Sequence, residues 1–279
     1  MNISILYEDA DLLVINKPSG LVVHPDGRTK ELSVSAWVAE HFPETESVGE
    51  PLGWNQDSRP TERYQSFGRA RFRIQGGEKN NFSSVNSNPK SRIHIPESTP
   101  PRSGIVHRID RETSGVLIIA KSQKAFDFLK KQFQKRTITK IYTAFVVGEL
   151  KKDDGMLDKP IGKSPRDFRR WSAERGAKGV MREALTNYRV LAKDGGYSLV
   201  EVLPKTGRTH QIRVHFKALG HPIVADSLYG KKDDPVFGFT RLALHARAIE
   251  FIDLKGKRIS VEAPYPADFK KAIKQIQKD

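Results

Sequence analysis

Cysteine is absent from this chain of 279 residues. Its absence excludes a disulfide scaffold, a cysteine-ligated zinc or iron–sulfur site and a thiol nucleophile. It also agrees with a reducing cytosol. No run of eighteen apolar residues occurs, so no helix-length membrane span is expected. The opening MNISILYEDADLL lacks the basic region, apolar region and small-residue cleavage site of a secretory signal. A cytoplasmic location is expected. No G-x-G-x-x-G, Walker A, H-E-x-x-H or G-x-S-x-G pattern is present. That disfavours a nucleotide cofactor, a catalytic metal and the usual hydrolase elbow.

Acidic charge is in short supply. Lys and Arg number 48 against 33 Asp and Glu, a formal net charge of +15. An excess of this size favours a polyanionic partner, whether nucleic acid, a phosphorylated ligand or an acidic membrane. The excess is uneven. Residues 1–49 carry three basic and eight acidic side chains, residues 50–103 nine and five, and residues 104–279 thirty-six and twenty. The polyanion is therefore expected at the C-terminal two-thirds.

Hydrophobic periodicity predicts an α+β fold with a mixed, largely antiparallel sheet and flanking helices. Ile3–Leu6, Leu12–Ile15 and Leu21–Val23 read as extended, with a turn at Pro18-Ser19-Gly20. Helices are expected over Leu32–Phe42, from an N-cap at Ser122 to Lys135, over Thr209–Leu219 with Thr209 as cap, and from Pro266 onward with Phe269, Ile273 and Ile276 buried. Strands are expected at Gly104–Val106, Val116–Ala120, Ile141–Val147, Leu242–Ile252 and Arg258–Glu262. Ala184–Ala192 and Tyr197–Leu203 form a predicted hairpin. Residues 50–103, rich in Pro, Gly, Ser and Asn with sparse apolar residues, read as a flexible, loop-like insertion. The alternating stretch Arg69–Ile74 is the one strand candidate within it. The chain thus divides into 1–49, this insertion, and 104–279.

Two segments concentrate reactive side chains. His107-Arg108-Ile109-Asp110-Arg111-Glu112-Thr113-Ser114-Gly115 lies between apolar strands that would hold it rigid. If extended, Arg108 and Asp110 project from the same side. In TGRTHQIRVHFKALGHP, residues 206–222, Arg208, His210 and Arg213 gather at a predicted helix N-terminus, where free N–H groups add positive charge. That is an anion site, for a phosphate from outside or for a carboxylate such as Asp110. His210 and His215, five apart, share a metal easily on neither a helix nor a strand, and no metal is expected.

Three segments, HRIDRETSGVLIIAKS, KIYTAFVVGEL and LPKTGRTHQIRVHFKALGHPIVADSLYG, resemble in order and spacing the signature motifs of the RluA-type pseudouridine synthases. DLLVINKPSGLVVHP and RLALHARAIEFIDLKGKRISVEAP resemble flanking parts of that catalytic domain. The resemblance spans nearly the whole chain except 50–103. It implies isomerisation of uridine to pseudouridine in rRNA or tRNA without a cofactor, on a catalytic domain without the S4 domain that many relatives carry; a monomer is the default expectation. It further implies Asp110 as nucleophile and Arg213 as its charge partner. Tyr142 would stack on the uracil and serve as candidate base for the C5 proton, and Arg108 would take the place of the flipped base. His107, Arg208 and His210 complete the expected RNA-contacting set. Two rival readings are an RNA chaperone that keeps the fold without the chemistry and a metal-dependent nuclease.

Overall fold

The computed structural model describes residues 3–25, 32–50, 103–230 and 236–277. The insertion, with Arg69–Ile74, therefore lies outside the described residues apart from its two end positions.

The main sheet is mixed and largely antiparallel. Its strands are β1 (Ser4–Glu8), β2 (Leu12–Lys17), β3 (Ser114–Ala120), β4 (Thr139–Val147), β5 (Asp154–Asp158), β9 (Leu185–Asp194), β10 (Tyr197–Pro204), β11 (Leu244–Ile252) and β12 (Arg258–Glu262). They run in the order β1-β2-β3-β11-β4-β10-β9-β5, with β12 beside β11. The β3–β11 contact is parallel, His245 facing Ser114 and Ala246 facing Gly115. The other pairings in this sheet are antiparallel. β3 is buried at every position, as a strand covered on both faces should be. Gly115 is needed there. Its φ is +112°, and a Cβ would collide with the Ala246 carbonyl across the parallel contact.

Among the described residues, four helices flank the sheet: α1 (Val34–His41), α2 (Gln123–Lys135), α3 (Gln211–Leu219) and α4 (Ala267–Ile276). Ser33 and Ser122 cap α1 and α2 by accepting the N–H groups of Ala36 and Ala125. One core joins β2, β3, α1 and α2 through Leu13, Ile15, Val38, Leu117, Phe126 and Leu129. A second joins β4, β10, α3 and α4 through Phe145, Val200, Phe216, Phe239 and Phe269. Tyr142 packs against both.

Three expectations need correction. Gly104–Val106 is not a strand; Ile105 makes an isolated bridge to Ile119, and Gly104 turns with φ +72°. Leu21–Val23 likewise contributes only a bridge between Val22 and Ser33. The third helix begins at Gln211 rather than Thr209, because His210 adopts a left-handed φ of 56°. No side chain caps it in the usual way. Instead Gln211 Oε1 accepts the Arg208 N–H and the Thr206 hydroxyl. The sequence also predicted nothing for the stretch that forms β5 and a separate three-stranded sheet, β6 (Ile161–Lys163), β7 (Trp171–Ser172) and β8 (Lys178–Arg182), ordered β7-β6-β8. Among the described residues, no helix is long and apolar enough to cross a membrane.

Candidate active site

The reactive loop runs into β3. Ile109 is buried at 5% exposure and anchors it, while Arg108 before it is exposed and the Asp110 side chain after it is about one-fifth exposed. The alternation is that of an extended segment, as its spacing predicts. The turn after β2 grips the loop from behind. Lys17 is fully buried, and its Nζ donates to the carbonyls of Pro18 and Leu21, each at 2.8 Å, and of Arg111 at 2.9 Å. Gly20 N–H donates to the same Arg111 carbonyl, and the Ser19 hydroxyl donates to the Glu112 carbonyl. Burial pushes the Lys17 ammonium down to about 7, opposed by the nearby Asp110 carboxylate. Three carbonyl acceptors match the three N–H donors of the charged form.

Arg213 comes to Asp110 from α3. Its Nη1 donates to Asp110 Oδ2 at 3.2 Å. Its Nε and Nη2 donate to the two oxygens of Asp226, at 2.8 and 2.7 Å. Arg213 is 3% exposed and Asp226 2%. Burial works against the Arg213 charge, but the hydrogen bonds and charges of Asp226 and then Asp110 outweigh it, and its pKa lies above the ordinary guanidinium value. Tyr229 stands over the guanidinium, 5.2 Å from ring centroid to Cζ. The Tyr229 oxygen accepts the Trp171 N–H at 2.9 Å and lies 2.9 Å from His210 Nδ1. Burial pushes the His210 pKa down, with Asp110 opposing. The structure therefore brings Asp110, Arg213 and His210 together, with the charge of Arg108 also felt at His210.

Tyr142 projects from β4 beside a pocket lined also by His107, Lys140, Ala246 and Ile249. Burial and then the Asp110 carboxylate both raise its pKa above the ordinary phenol value. The ring is thus a neutral phenol in the free protein.

His107 and Arg208 are turned toward the fold. His107 Nε2 accepts the Ile118 N–H at 3.1 Å, and its ring stacks on Phe133 at 4.8 Å. Burial, aided by the Lys140 charge, lowers its pKa to about 3, so the imidazole is neutral. It fixes the start of the reactive loop. Arg208 Nε donates to the Glu183 carbonyl at 3.0 Å. His215 uses both ring nitrogens on Thr186 Oγ1 and the Lys159 carbonyl.

Sequence reasoning missed Lys17, Asp226 and Tyr229. Lys17 closes the strand whose apolar run is Leu12–Ile15, and a lone cation there is a signal for burial with dedicated acceptors. Asp226 and Tyr229 lie within the third motif, but nothing in their spacing says that they face Arg213.

Residues 11–218 match the profile of the family described as RNA pseudouridylate synthase. An uncharacterized RNA pseudouridine synthase, YlyB, of Bacillus subtilis (strain 168) is 33% identical over 281 residues, covering 100% of this chain and 74% of that protein. Ribosomal large subunit pseudouridine synthase D of Nitrosomonas europaea is 32% identical over 282 residues, covering 99% of this chain and 65% of that protein. Among solved structures, Human RNA Pseudouridylate Synthase Domain Containing 4 aligns with a TM-score of 0.65 at 22% identity, over 98% of this chain and 93% of that one. Human RNA Pseudouridylate Synthase Domain Containing 1 gives 0.64 at 24%, over 95% and 84%. At those identities the two structures speak for the fold.

Proposed function

The chain belongs to the RNA pseudouridylate synthase family, which makes it an isomerase acting on RNA, and we propose that it converts a specific uridine of rRNA or tRNA to pseudouridine, with Asp110 as nucleophile and without a cofactor. In this reaction the N1–C1′ bond of uridine breaks, the uracil turns, and a C5–C1′ bond forms. C5 gives up its proton and N1 gains one, so no electrons are exchanged with a carrier. The observation that carries the reading is the Asp110 carboxylate. It is partly exposed, 3.2 Å from the buried Arg213, and close enough to Tyr142 for its charge to act on the phenol.

An ionised carboxylate suits attack at C1′ or at the adjacent sugar carbon, because the departing uracil leaves that region electron-poor. Arg213 donates one N–H to that carboxylate and orients it. The neutral Tyr142 ring supplies a face for the uracil. The base must leave its stack to reach Asp110, which costs a few kcal/mol. Arg108, exposed two residues before Asp110, would fill the vacated position.

The small sheet supports the RNA reading. Residues 159–182 carry eight Lys and Arg against Asp167 and Glu174. Phe168 is 84% exposed and Val180 77%. Lys163 lies over the Trp171 ring at 4.0 Å. Basic side chains on a segment that also exposes an aromatic ring are what a sugar–phosphate chain with unstacked bases requires. The likeness to a ribosomal large subunit enzyme makes rRNA the first pool to test, with tRNA beside it.

The test is tritium release from [5-³H]uridine-labelled rRNA and tRNA, wild type against Asp110→Asn. Release by wild type and none by the variant is the expected result. Binding without release from either pool would move the weight to an RNA chaperone. Magnesium-dependent strand cleavage would establish the nuclease.

A further inference from the structure

Arg213 gives two of its donors to Asp226 and one to Asp110. Asp226 is itself held from several directions. Its Oδ1 accepts the N–H groups of Leu228 at 3.0 Å and Tyr229 at 3.1 Å, besides Nη2 of Arg213. Its carbonyl accepts the Gly230 N–H at 2.9 Å, and Ala225 before it sits at a left-handed φ of 54°. This segment has been turned to aim one carboxylate at one guanidinium.

An arginine facing a single carboxylate tends to grip it with two parallel N–H···O bonds. Here that paired grip goes to Asp226, the more buried partner. Nη1 alone reaches Asp110, on Oδ2. Asp226 also halves the problem of charge. Arg213 stands between two carboxylates, so its attraction for Asp110 is shared rather than undivided.

We propose that Asp226 is a positioning residue for the isomerisation: it takes the paired grip of Arg213, so that Asp110 is steadied by one N–H and is not locked into a closed ion pair. This rests on the isomerase reading above. Loss of the Asp226 charge leaves Arg213 free to turn both donors onto Asp110, which occupies the oxygens the sugar must meet. An amide at 226 has the same shape, but its NH₂ faces a guanidinium N–H whichever way it is flipped. The paired grip cannot be kept.

The experiment measures single-turnover tritium release and RNA affinity separately for wild type, Asp226→Asn, Arg213→Lys and the double variant. Asp226→Asn is expected to slow release about 100-fold, with the RNA Kd within about threefold of wild type. If Asp226 acts through Arg213, adding Asp226→Asn to Arg213→Lys slows release by no more than about twofold further, whereas independent structural damage would multiply. Asp226→Ser, whose hydroxyl accepts one bond and leaves room for water, replaces Asp226→Asn if that variant does not fold. A folded Asp226 variant with the wild-type rate, or multiplicative effects in the double variant, overturns the inference. A wild-type protein that releases no tritium from any RNA pool overturns the isomerase reading itself and takes this inference with it.

Discussion

The candidate catalytic centre and the small sheet of β6, β7 and β8, which falls in sequence between Tyr142 and Arg213, are built on opposite plans. At the centre, charged groups are buried and held by protein. Lys17 has three carbonyls, Arg213 has two carboxylates, and Asp226 has two backbone N–H groups besides. Along residues 159–182 the Arg169–Asp167 ion pair lies at the surface between β6 and β7, and the apolar side chains Phe168, in the same connection, and Val180, on β8, face solvent. Exposed pairs contribute at most about 1 kcal/mol each, whereas buried ones cost several when broken. Fixed geometry is what the proposed chemistry at Asp110 requires, and accessible surface is what the proposed contact with RNA requires.

The sharpest way to break this division is at Asp110. Asp110→Asn should lower tritium release by about 10⁴-fold or more, with RNA affinity little changed, since the loss is of a reacting group. A comparable loss of affinity would mean that Asp110 belongs to recognition. Next in size, Lys17→Met should lower stability by about 2–4 kcal/mol, because buried carbonyls lose their donor. Urea unfolding midpoints at constant m would show it. A midpoint within error of wild type would mean that the grip on the reactive loop is dispensable.

Acid should weaken the centre before it touches the small sheet. Burial lowers the folded pKa of His107 to about 3 and of His245 to about 4. Unfolded imidazoles protonate near 6.5. The unfolded chain therefore binds protons that the fold refuses. Stability is whole above pH about 6.5 and is lost as pH falls toward 4, by about 1.4 kcal/mol per pH unit for each such histidine. Urea midpoints across that range should show the slope, and His107→Gln should flatten it; an unaltered slope would remove His107 from the account. The smallest effect is expected outside. Phe168→Ala should weaken RNA binding by about 1–3 kcal/mol if a base stacks there, with the rate at saturating RNA kept. Replacing Arg166 and Arg170 by Ala should lessen the salt dependence of binding, by about 0.7–0.9 in log–log slope for each phosphate no longer neutralised. A changed rate at saturation would join the two regions functionally.

The same contrast marks what was legible in the sequence. The apolar periods of β2, β3, β4, β10, β12, α2 and α4 report burial on one or both faces, so their existence and type could be read directly. β6, β7 and β8 run for two to five residues without an apolar alternation, and no pattern announces them. The start of α3 was misplaced because a tertiary contact decides it. His210 takes a left-handed conformation beside the Tyr229 hydroxyl, and Gln211 folds back onto Thr206 and Arg208. Asp110, Tyr142 and Arg213 were singled out by motif, but Asp226 and Lys17 owe their importance to partners 13 to 94 positions away. Local spacing carries no record of such pairs.

The position of β11 between β3 and β4 bears on when the enzyme can exist. β3 follows the reactive loop and β4 carries Tyr142, yet the strand that joins them is Leu244–Ile252, synthesised about a hundred residues later. Closing such distant pairings is slow relative to forming local hairpins. A nascent chain can fold its β9–β10 hairpin and display the basic small sheet well before β11 leaves the ribosome. Asp110 and Tyr142 meet only once that strand has slotted in. The candidate centre is therefore completed late in synthesis, after the strands on either side of β11 have been made.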